Sequence, residues 1–311
     1  MNARIAFIVF YFGPFPNYFP LYIRSCEHNS FIDWHIFTDN RKVEGLPDNV
    51  IHHHTTLEQC RMMFQDRFSY PICLPTARKM CDYKPFYGYL LEKELERYDF
   101  WGHCDLDQIF GKIMLREEEL VAYDKLYTLG HFTLYRNRSD ISRVLLGYKK
   151  GNRSREVLQS EHLVGMDEWG ADNANEIFLK SGYRFLSESY GADIWPGSHV
   201  FQLSEYNRFR NRYYPVPDTK GILKYEDGVL YFIKKDRSSI EVPYVHLQKR
   251  TMKVLCDKDA DTYYITPEGF LPESFGLEKA LEIGLKEPVF DRQYWKIKKN
   301  NFRYRILSCL R

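Results

Sequence analysis

The sequence lacks the features of a membrane span, a disulfide framework or a zinc site. Its seven cysteines are odd in number and include no C-x-x-C pair, so we expect free thiols in a reducing compartment. No apolar run approaches the roughly 20 residues that cross a bilayer. The chain passes from MNAR directly into an apolar stretch, which predicts a cytoplasmic protein without a secretory leader.

Strong charge of one sign is also missing. The 311 residues carry a formal net charge of +2, which argues against a nucleic-acid partner. Aromatic residues, by contrast, are plentiful, with 24 Tyr, 22 Phe and 5 Trp. Most of them should build the core, and a few suit a wall that holds sugar or base rings.

The order of elements predicts an α/β sandwich with a mainly parallel central sheet. The continuous apolar run RIAFIVFYFG, over 4–13, is typical of a buried parallel strand. We expect a helix over 20–29 and a second strand over 33–40. In such sheets, ligands bind beyond the carboxyl ends of the strands.

The next segments continue this alternation. A strand should lead into a helix over 51–68, with Thr55 or Thr56 as its N-cap, and a further helix is expected over 81–98. The three histidines at 52–54 do not predict a metal site, because neighbouring residues of a strand point to opposite faces.

The second half of the chain predicts fewer helices. We expect two strands, or a strand and a loop, within 123–137. An acidic loop and a helix should follow over 165–182, and an antiparallel meander over 221–250. We assign residues 1–270 to one catalytic-type domain and 271–311 to a C-terminal basic, amphipathic, helical appendage.

The stretch YDFWGHCDLDQIFG, over 98–111, places Asp105 and Asp107 either side of one leucine, after an apolar run. Buried carboxylates need a partner. A hard divalent cation, Mn²⁺ or Mg²⁺, takes carboxylate oxygens and bridges them to substrate phosphates. An exposed turn would explain the triplet equally simply, and the sequence order of strand and helix favours the metal.

The apolar first strand, the FTDN end of the second, the helix with Lys84 and the CDLDQIFG segment together resemble a nucleotide-sugar-dependent glycosyltransferase of the GT-A type. The similarity is greatest to small bacterial enzymes of capsular and O-antigen polysaccharide synthesis. It covers about residues 1–250 in the order of elements and implies a GT-A-like, Rossmann-type sandwich. It also implies a UDP-sugar donor and a saccharide acceptor, which is expected to be lipid-linked.

The resemblance also implies roles for YVHLQKR, over 244–250. His246 would complete the metal shell of Asp105 and Asp107, and Lys249 would reach the diphosphate. Lys84 would either lie near the phosphates or pair with an aspartate.

The turn after the first strand is the expected nucleotide site. Gly13 would let the backbone approach the nucleotide, with Tyr11 or Phe12 packed on the base. Asp39 would accept a hydrogen bond from uracil or ribose, or else cap a helix.

Inverting transfer needs a general base, and Asp167 or Glu168 is our candidate. The same carboxylates could instead complement the positive end of the following helix, which would leave a retaining mechanism without a side-chain base. His131 and Arg136 are then expected to line the sugar pocket.

The segment over 291–311 is basic and rich in aromatic residues, which suits an anionic membrane surface. We therefore expect peripheral attachment at the inner face of the cell membrane. A packed helix with a solvated basic face is the alternative. A non-catalytic carbohydrate-binding protein would explain the aromatic residues but not the acidic pair followed by His246 and Lys249.

Overall fold

The computed structural model describes residues 3–187, 190–194, 198–207, 212–216 and 218–286. Within this part, the strands are β1 Ile5–Tyr11, β2 Ile32–Thr38, β3 Val50–His54, β4 Phe100–Cys104, β5 Gln108–Phe110, β6 Lys125–Leu129, β7 Phe132–Arg136, β8 Phe185–Leu186, β9 Tyr190–Asp193, β10 Gln202–Asn207, β11 Arg212–Pro215, β12 Gly221–Glu226, β13 Val229–Lys234, β14 Ser239–Glu241, β15 Tyr244–His246, β16 Lys253–Val254, β17 Thr262–Thr266 and β18 Gly269–Pro272. The α-helices are α1 Phe19–Glu27, α2 Leu57–Gln65, α3 Met80–Tyr83, α4 Tyr87–Leu90, α5 Glu117–Ala122, α6 Ser139–Gly147, α7 Asn152–Gln159, α8 Ala174–Lys180 and α9 Gly276–Gly284. Searching the described helices finds none that is both long and apolar enough to cross a bilayer.

A seven-stranded mixed sheet, in the order β3-β2-β1-β4-β7-β6-β8, forms the centre of the fold. β3, β2, β1 and β4 are mutually parallel, which confirms the expected parallel core. β7 is antiparallel to both β4 and β6. The sheet is therefore mixed, with four parallel and two antiparallel pairings. The short turn between β6 and β7 makes a hairpin, and a hairpin joins antiparallel strands.

Both faces of this sheet are covered, which is why β1 is apolar at every position. Alternate residues of a strand face opposite sides. Phe7 belongs to a core cluster that also contains residues of α1 and of the sheet around β12. Ile8 belongs to a second cluster, built with residues of α2, α3, α4, α6, α7 and α8. Because β1 is also parallel to β2 and β4, the carboxyl ends of these three strands emerge at the same edge of the sheet.

A five-stranded sheet, β11-β10-β9-β15-β5, continues from the carboxyl end of β4. β5 follows the acidic pair and is antiparallel to β15, with Gln108 opposite His246. β15 is also parallel to β9, with His246 opposite Asp193. The pairing of these three strands brings distant parts of the chain to the acidic turn.

A third sheet, β14-β13-β12-β17-β18-β16, packs beside the central sheet. Its outer face is covered by α9, whose Ala280 and Leu281 contact a small apolar cluster. A boundary after residue 270 would fall inside β18. The division into 1–270 and 271–311 stays a prediction, and residues 287–311, which hold the basic tail, lie outside the described part.

Several predicted elements are confirmed. Helix α2 begins after Thr56, whose side chain accepts the Gln59 N–H while the Gln59 side chain accepts the Thr56 N–H, forming a capping box. The histidines over 52–54 have separate partners: His52 contacts the Asn40 carbonyl and His53 contacts His35.

Two predicted elements are wrong in detail. The single helix over 81–98 is replaced by α3, a 3₁₀ turn over Lys84–Phe86 and α4, because Pro85 lacks the N–H that a continuous helix needs. The meander is confirmed for β12, β13 and β14, but β15 leaves it and pairs with β5 and β9.

Candidate metal and nucleotide site

Asp105 and Asp107 lie in the turn between β4 and β5, at the carboxyl end of the parallel strands. The backbone N–H of Asp105 is 3.2 Å from the His131 carbonyl and 3.1 Å from the side-chain oxygen of Gln108. These bonds define the turn. The Asp107 side chain is buried and that of Asp105 stays 23% exposed, so Asp105 is the more accessible of the two carboxylates.

His246 comes to this turn on β15. One ligand atom from each of Asp105, Asp107 and His246 can be chosen so that all three lie within 4.8 Å of one another. His246 Nε2 is 3.5 Å from Asp107 Oδ2. The three residues expected to hold a cation are therefore adjacent, although 246 is far from 107 in the chain.

Asp193, which sequence reasoning missed, holds His246 from the other side. Its Oδ2 is 3.0 Å from His246 Nδ1, and the Gln248 side-chain N–H₂ donates to both of its oxygens at 3.1 and 3.2 Å. A carboxylate behind an imidazole orients the ring toward a metal and increases its basicity. The only available signal was a carboxylate ending an otherwise apolar strand, YGADI.

The imidazole of His246 is flanked by acids on both sides. Burial alone would lower its pKa, but Asp193 and Asp107 hold it well above the ordinary value for histidine. Burial would likewise raise the pKa of Asp105, but Lys84, Lys249 and His246 hold it below the ordinary value. The protonated imidazole and the ionised Asp105 thus stabilise each other, and a metal ion bound here would replace the imidazole proton.

The donor set fits a hard divalent cation. Two carboxylates and one imidazole suit Mn²⁺, and Mg²⁺ accepts the carboxylates with water in the remaining positions. Oδ1 of Asp107 is buried and has no hydrogen-bond partner among the described residues. A buried carboxylate oxygen left without a partner is costly, and a cation would satisfy it.

His131 lies in the same cluster. It is buried, and its ring stacks on His246 with centroids 4.1 Å apart. With Asp193 and His246 it forms a second group of possible ligand atoms, but that group shares His246, whose Nδ1 is already directed at Asp193. We interpret it as the supporting wall of the first group.

Arg136 does not lie with the others, so its expected place in the sugar pocket is wrong. It ends β7 opposite Phe100, whereas Cys104, next to the acidic turn, pairs with Phe132. Its guanidinium donates to the Tyr123 carbonyl at 3.0 Å and lies 3.6 Å from Asp124. These contacts place it at the far edge of the sheet.

Lys249 adjoins the acidic pair. Its backbone N–H donates to Asp107 Oδ2 at 2.5 Å. Burial would lower the pKa of its ammonium group, but Asp105 and Asp107 raise it. Gln248 and Lys249 both have positive φ, 55° and 56°, so the chain turns sharply here and presents Lys249 beside the two carboxylates.

Lys84 pairs with an aspartate, which was one of its two expected roles. Its Nζ donates to Asp105 Oδ1 at 2.5 Å and to the Gly130 carbonyl at 2.8 Å, and it lies 3.8 Å from Asp167 Oδ2. This buried ammonium therefore joins the acidic turn to the candidate base.

Asp167 and Glu168 are next to the same group. Burial raises the pKa of Asp167 to about 7, even though Lys84 opposes the shift. Glu168 accepts the Gly130 N–H at 2.9 Å, and burial raises its pKa as well. Neither carboxylate caps α8, because Asn173 is the N-cap of that helix. The alternative, in which the two carboxylates complement the positive end of this helix, stays a prediction.

The turn after β1 brings Gly13 and Asp39 together. Asp39 Oδ1 accepts the Gly13 N–H at 2.9 Å, and the Asn40 side chain donates to the Gly13 carbonyl at 2.7 Å. Gly13 has φ 98°, and a Cβ there would meet nothing within 4 Å, so the turn is open as well as left-handed. Asp39 holds this turn and caps no helix.

Tyr11 and Phe12 point to different surroundings. Tyr11 stacks on Phe15, and its pKa is raised by burial and by Asp107, which places it on the acidic side. Phe12 packs with Phe10 against the helical core cluster. Of the two candidates for stacking on a base, Tyr11 is the one nearer the acidic pair.

A family model described as "Family of unknown function (DUF6625)" matches residues 7–274. The match begins in β1 and ends just after β18, so it includes every residue of the site described above. No protein with a curated description matches the chain.

Proposed function

We propose that this protein, which belongs to the family of unknown function DUF6625, is a metal-dependent glycosyltransferase that uses a UDP-sugar. The observation that carries the proposal is the meeting of Asp105, Asp107 and His246 within 4.8 Å at the carboxyl end of the parallel strands. Enzymes that transfer a group from a nucleoside diphosphate hold a divalent cation in this way to stabilise the departing phosphates.

The finer fold assignment belongs to the same proposal. We interpret the central and five-stranded sheets as a GT-A-like, Rossmann-type sandwich. Supporting this, three separate strand ends converge on one edge: the Gly13 turn after β1, Asp39 after β2 and the acidic pair after β4. Ligands of open α/β sheets bind at such an edge.

The chain's own residues divide the work of the reaction. When bound, a divalent cation would supply Lewis-acid stabilisation of the diphosphate leaving group. Lys249 would add a positive charge beside it, at the place where negative charge concentrates as the sugar–phosphate bond breaks. Tyr11 and the Gly13 turn would hold the nucleotide, and the open turn leaves room for close backbone approach.

Asp167 is our candidate for the general base. As the acceptor oxygen bonds to the anomeric carbon and the phosphate oxygen leaves, the acceptor's proton would pass to a carboxylate oxygen. A pKa of about 7 is near the optimum for a base at neutral pH. Oδ1 of Asp167 is buried without a hydrogen-bond partner among the described residues, so no hydrogen bond there competes for that proton.

A retaining mechanism is the second candidate, and one observation favours it. Glu168 is already engaged by the Gly130 N–H, and Asp167 lies close to the Lys84 ammonium. If both carboxylates only hold the loop, transfer would proceed without a side-chain base. The stereochemistry of the product separates the two mechanisms.

The acceptor remains part of the proposal. A saccharide would meet the exposed ring of Trp169, which follows the candidate base directly and is 51% exposed, since tryptophan offers a large apolar face to a sugar ring. A lipid-linked acceptor and a role in surface polysaccharide synthesis follow from the resemblance alone. The basic tail, which would attach the enzyme to a membrane, lies outside the described residues.

The test is calorimetric titration of UDP with and without Mn²⁺. Wild type should bind UDP in a Mn²⁺-dependent manner, and Asp107→Ala should lose that binding, because it removes the buried carboxylate oxygens. Asp259→Ala is the matched control, since Asp259 is exposed and belongs to neither group of possible metal ligands. Its affinity should equal that of wild type.

Three results would contradict the proposal: no UDP binding in either condition, binding that ignores Mn²⁺, and equal binding by Asp107→Ala. With binding established, release of UDP from UDP-glucose, UDP-galactose and UDP-N-acetylglucosamine identifies the donor.

A further inference from the structure

Lys79 and Asp82 form an ion pair with side chains that are 1% and 0% exposed. Lys79 Nζ donates to Asp82 Oδ2 at 2.7 Å. The pair lies where the 3₁₀ turn over Ala77–Lys79 meets α3, away from the acidic turn. Neither side chain is a proposed cation ligand or candidate base, although the charge of Asp82 contributes to the raised pKa of Asp167.

The remaining hydrogen bonds of Asp82 all go to one stretch of backbone. Oδ1 accepts the N–H groups of Gly165 and Met166 at 2.7 and 2.8 Å, and Oδ2 accepts that of Val164 at 2.8 Å. Three consecutive amides thus point at one carboxylate. The next residue along the chain is Asp167.

Lys79 holds the preceding part of the same loop. Its ammonium group donates to the Val157 carbonyl at 2.9 Å and to the His162 carbonyl at 2.7 Å. With the bond to Asp82, all three of its protons are used. The ion pair therefore fastens the chain from the end of α7 up to Met166.

The segment that contains the pair also contacts the metal site. Lys84, two residues after Asp82, donates to Asp105 and to the Gly130 carbonyl, and Glu168 accepts the Gly130 N–H. Residues 79–84 thus contact the acidic turn with one side chain and the loop before Asp167 with another.

Stability alone does not explain such a pair. Replacing a buried ion pair by apolar residues of similar volume is often neutral or stabilising. A carboxylate that accepts several N–H groups does, however, fix a backbone sharply, since charge-assisted hydrogen bonds are short and directional. A displacement of about 1 Å in a reacting group can cost about 100-fold in rate.

We propose that Asp82, fastened by Lys79, is a positioning residue that holds the 164–168 loop so that Asp167 and Glu168 face the metal and donor site. This inference rests on the proposed function, in which that loop carries the general base. In this inference, the ion pair sets the distance between the general base and the cation.

The experiment compares wild type with Asp82→Asn and with Lys79→Met/Asp82→Asn, in which the pair is neutral. Amide hydrogen exchange at 164–166, affinity for UDP with Mn²⁺, and the rate of UDP release from the UDP-hexose panel are measured. Asp236→Asn is the control, because Asp236 also accepts a backbone N–H, that of Ser238 at 3.0 Å, on an exposed turn.

In Asp82→Asn we expect exchange at 164–166 to be at least ~10-fold faster, UDP affinity to stay within about twofold, and UDP release to fall by about 100-fold. The control should match wild type in all three. A purely structural role would change affinity and rate together. Unchanged exchange, unchanged release, or loss of UDP binding in parallel with release would overturn the inference.

Failure of the variants to fold leaves a test on wild type itself. Amides 164–166 should exchange as slowly as those of β1, and exchange as fast as at the exposed 236–238 turn would overturn the inference. Absence of Mn²⁺-dependent UDP binding in wild type would instead contradict the proposed function, while the exchange data would still report whether the carboxylate holds the loop.

Discussion

Asp193 supports His246 from behind and is not one of the three proposed cation ligands, so its substitution tests the contribution of ring orientation. Asp193→Asn keeps the side-chain shape but removes the charge behind Nδ1, 3.0 Å away. We expect Mn²⁺ affinity to fall 10–100-fold, as is typical when the carboxylate behind a histidine ligand is lost. Calorimetric titration of Mn²⁺ checks this, with Asp259→Asn as control, and equal affinities would contradict it.

The raised pKa of Asp167 predicts a pH dependence of transfer. A base must be ionised to accept a proton, and the pKa of this carboxyl is about 7. Below that pH, kcat/KM should fall about tenfold per unit. The rate of UDP release between pH 5 and 9 measures this fall of kcat/KM on the acid side. If Asp167→Asn shows the same fall, a group other than Asp167 causes it.

The same shift has a consequence for stability. The folded pKa of Asp167 lies above its ordinary 3.8, so between about pH 4 and 7 this carboxyl is more protonated in the folded protein than in the unfolded chain. The unfolding free energy of wild type, relative to that of Asp167→Asn, should therefore fall as pH rises through this window. Urea unfolding at pH 5 and pH 8 measures it. If wild type and Asp167→Asn differ in unfolding free energy by the same amount at pH 5 and pH 8, the raised pKa of Asp167 is refuted.

At the scale of elements, the contact between α4 and β4 depends on Gly88. A Cβ at this position would overlap the ring of Trp101, which is 1% exposed and lies on the strand that leads to the acidic turn. Gly88→Ala should lower the unfolding free energy by about 1–3 kcal/mol, the usual cost of overpacking.

Gly147→Ala is the matched control for this change. It lies at the end of α6, and a Cβ there meets nothing within 4 Å, so stability should stay equal or rise slightly because alanine favours helix. Urea unfolding measures both variants. A cost at Gly147 as large as at Gly88 would show that the effect is not one of space around Trp101.

Secondary-structure elements specified by neighbouring residues could be predicted from the sequence, and those decided by tertiary contacts could not. The run IAFIVFY and the capping box at Thr56 specify β1 and the start of α2 from adjacent residues. The segment over 81–98 has helical spacing but is divided at Lys84–Phe86, because Pro85 breaks the hydrogen-bond series.

The site divides in the same way. Asp105 and Asp107 were visible as paired carboxylates beside an apolar strand, and their approach to His246 was expected only through a family resemblance. Asp193 and Asp82 were not found, because each is a single acid whose role comes from partners more than 50 residues away. No local spacing records such a contact.

At the scale of the whole molecule, the third sheet should be required for folding. β12 pairs with β17, and the main core cluster includes Tyr263, Ile265 and Phe270. A chain that ends at residue 250 loses these residues and leaves β12 with an open edge, whereas one that ends at 286 keeps every described element.

We therefore expect cooperative urea unfolding for the 1–286 chain and none for the 1–250 chain. Circular dichroism and size-exclusion chromatography compare the two. A cooperative, monodisperse 1–250 chain would contradict the expectation. Sedimentation with vesicles containing phosphatidylserine then tests the predicted role of the tail. The full chain should bind the vesicles, and the 1–286 chain, which lacks the tail, should not.

The antiparallel pairing of β5 with β15 has a consequence for the order of events during synthesis. Asp107 and Lys249, which this pairing brings into contact, are 142 residues apart. At about 5–20 residues per second, a ribosome needs roughly 7–28 s to make the intervening chain. Until then, neither the imidazole of His246 nor the backbone turn at Lys249 lies beside the two aspartates. Under the proposed function, cation binding would thus have to wait until β15 is made, after β12, β13 and β14 of the third sheet.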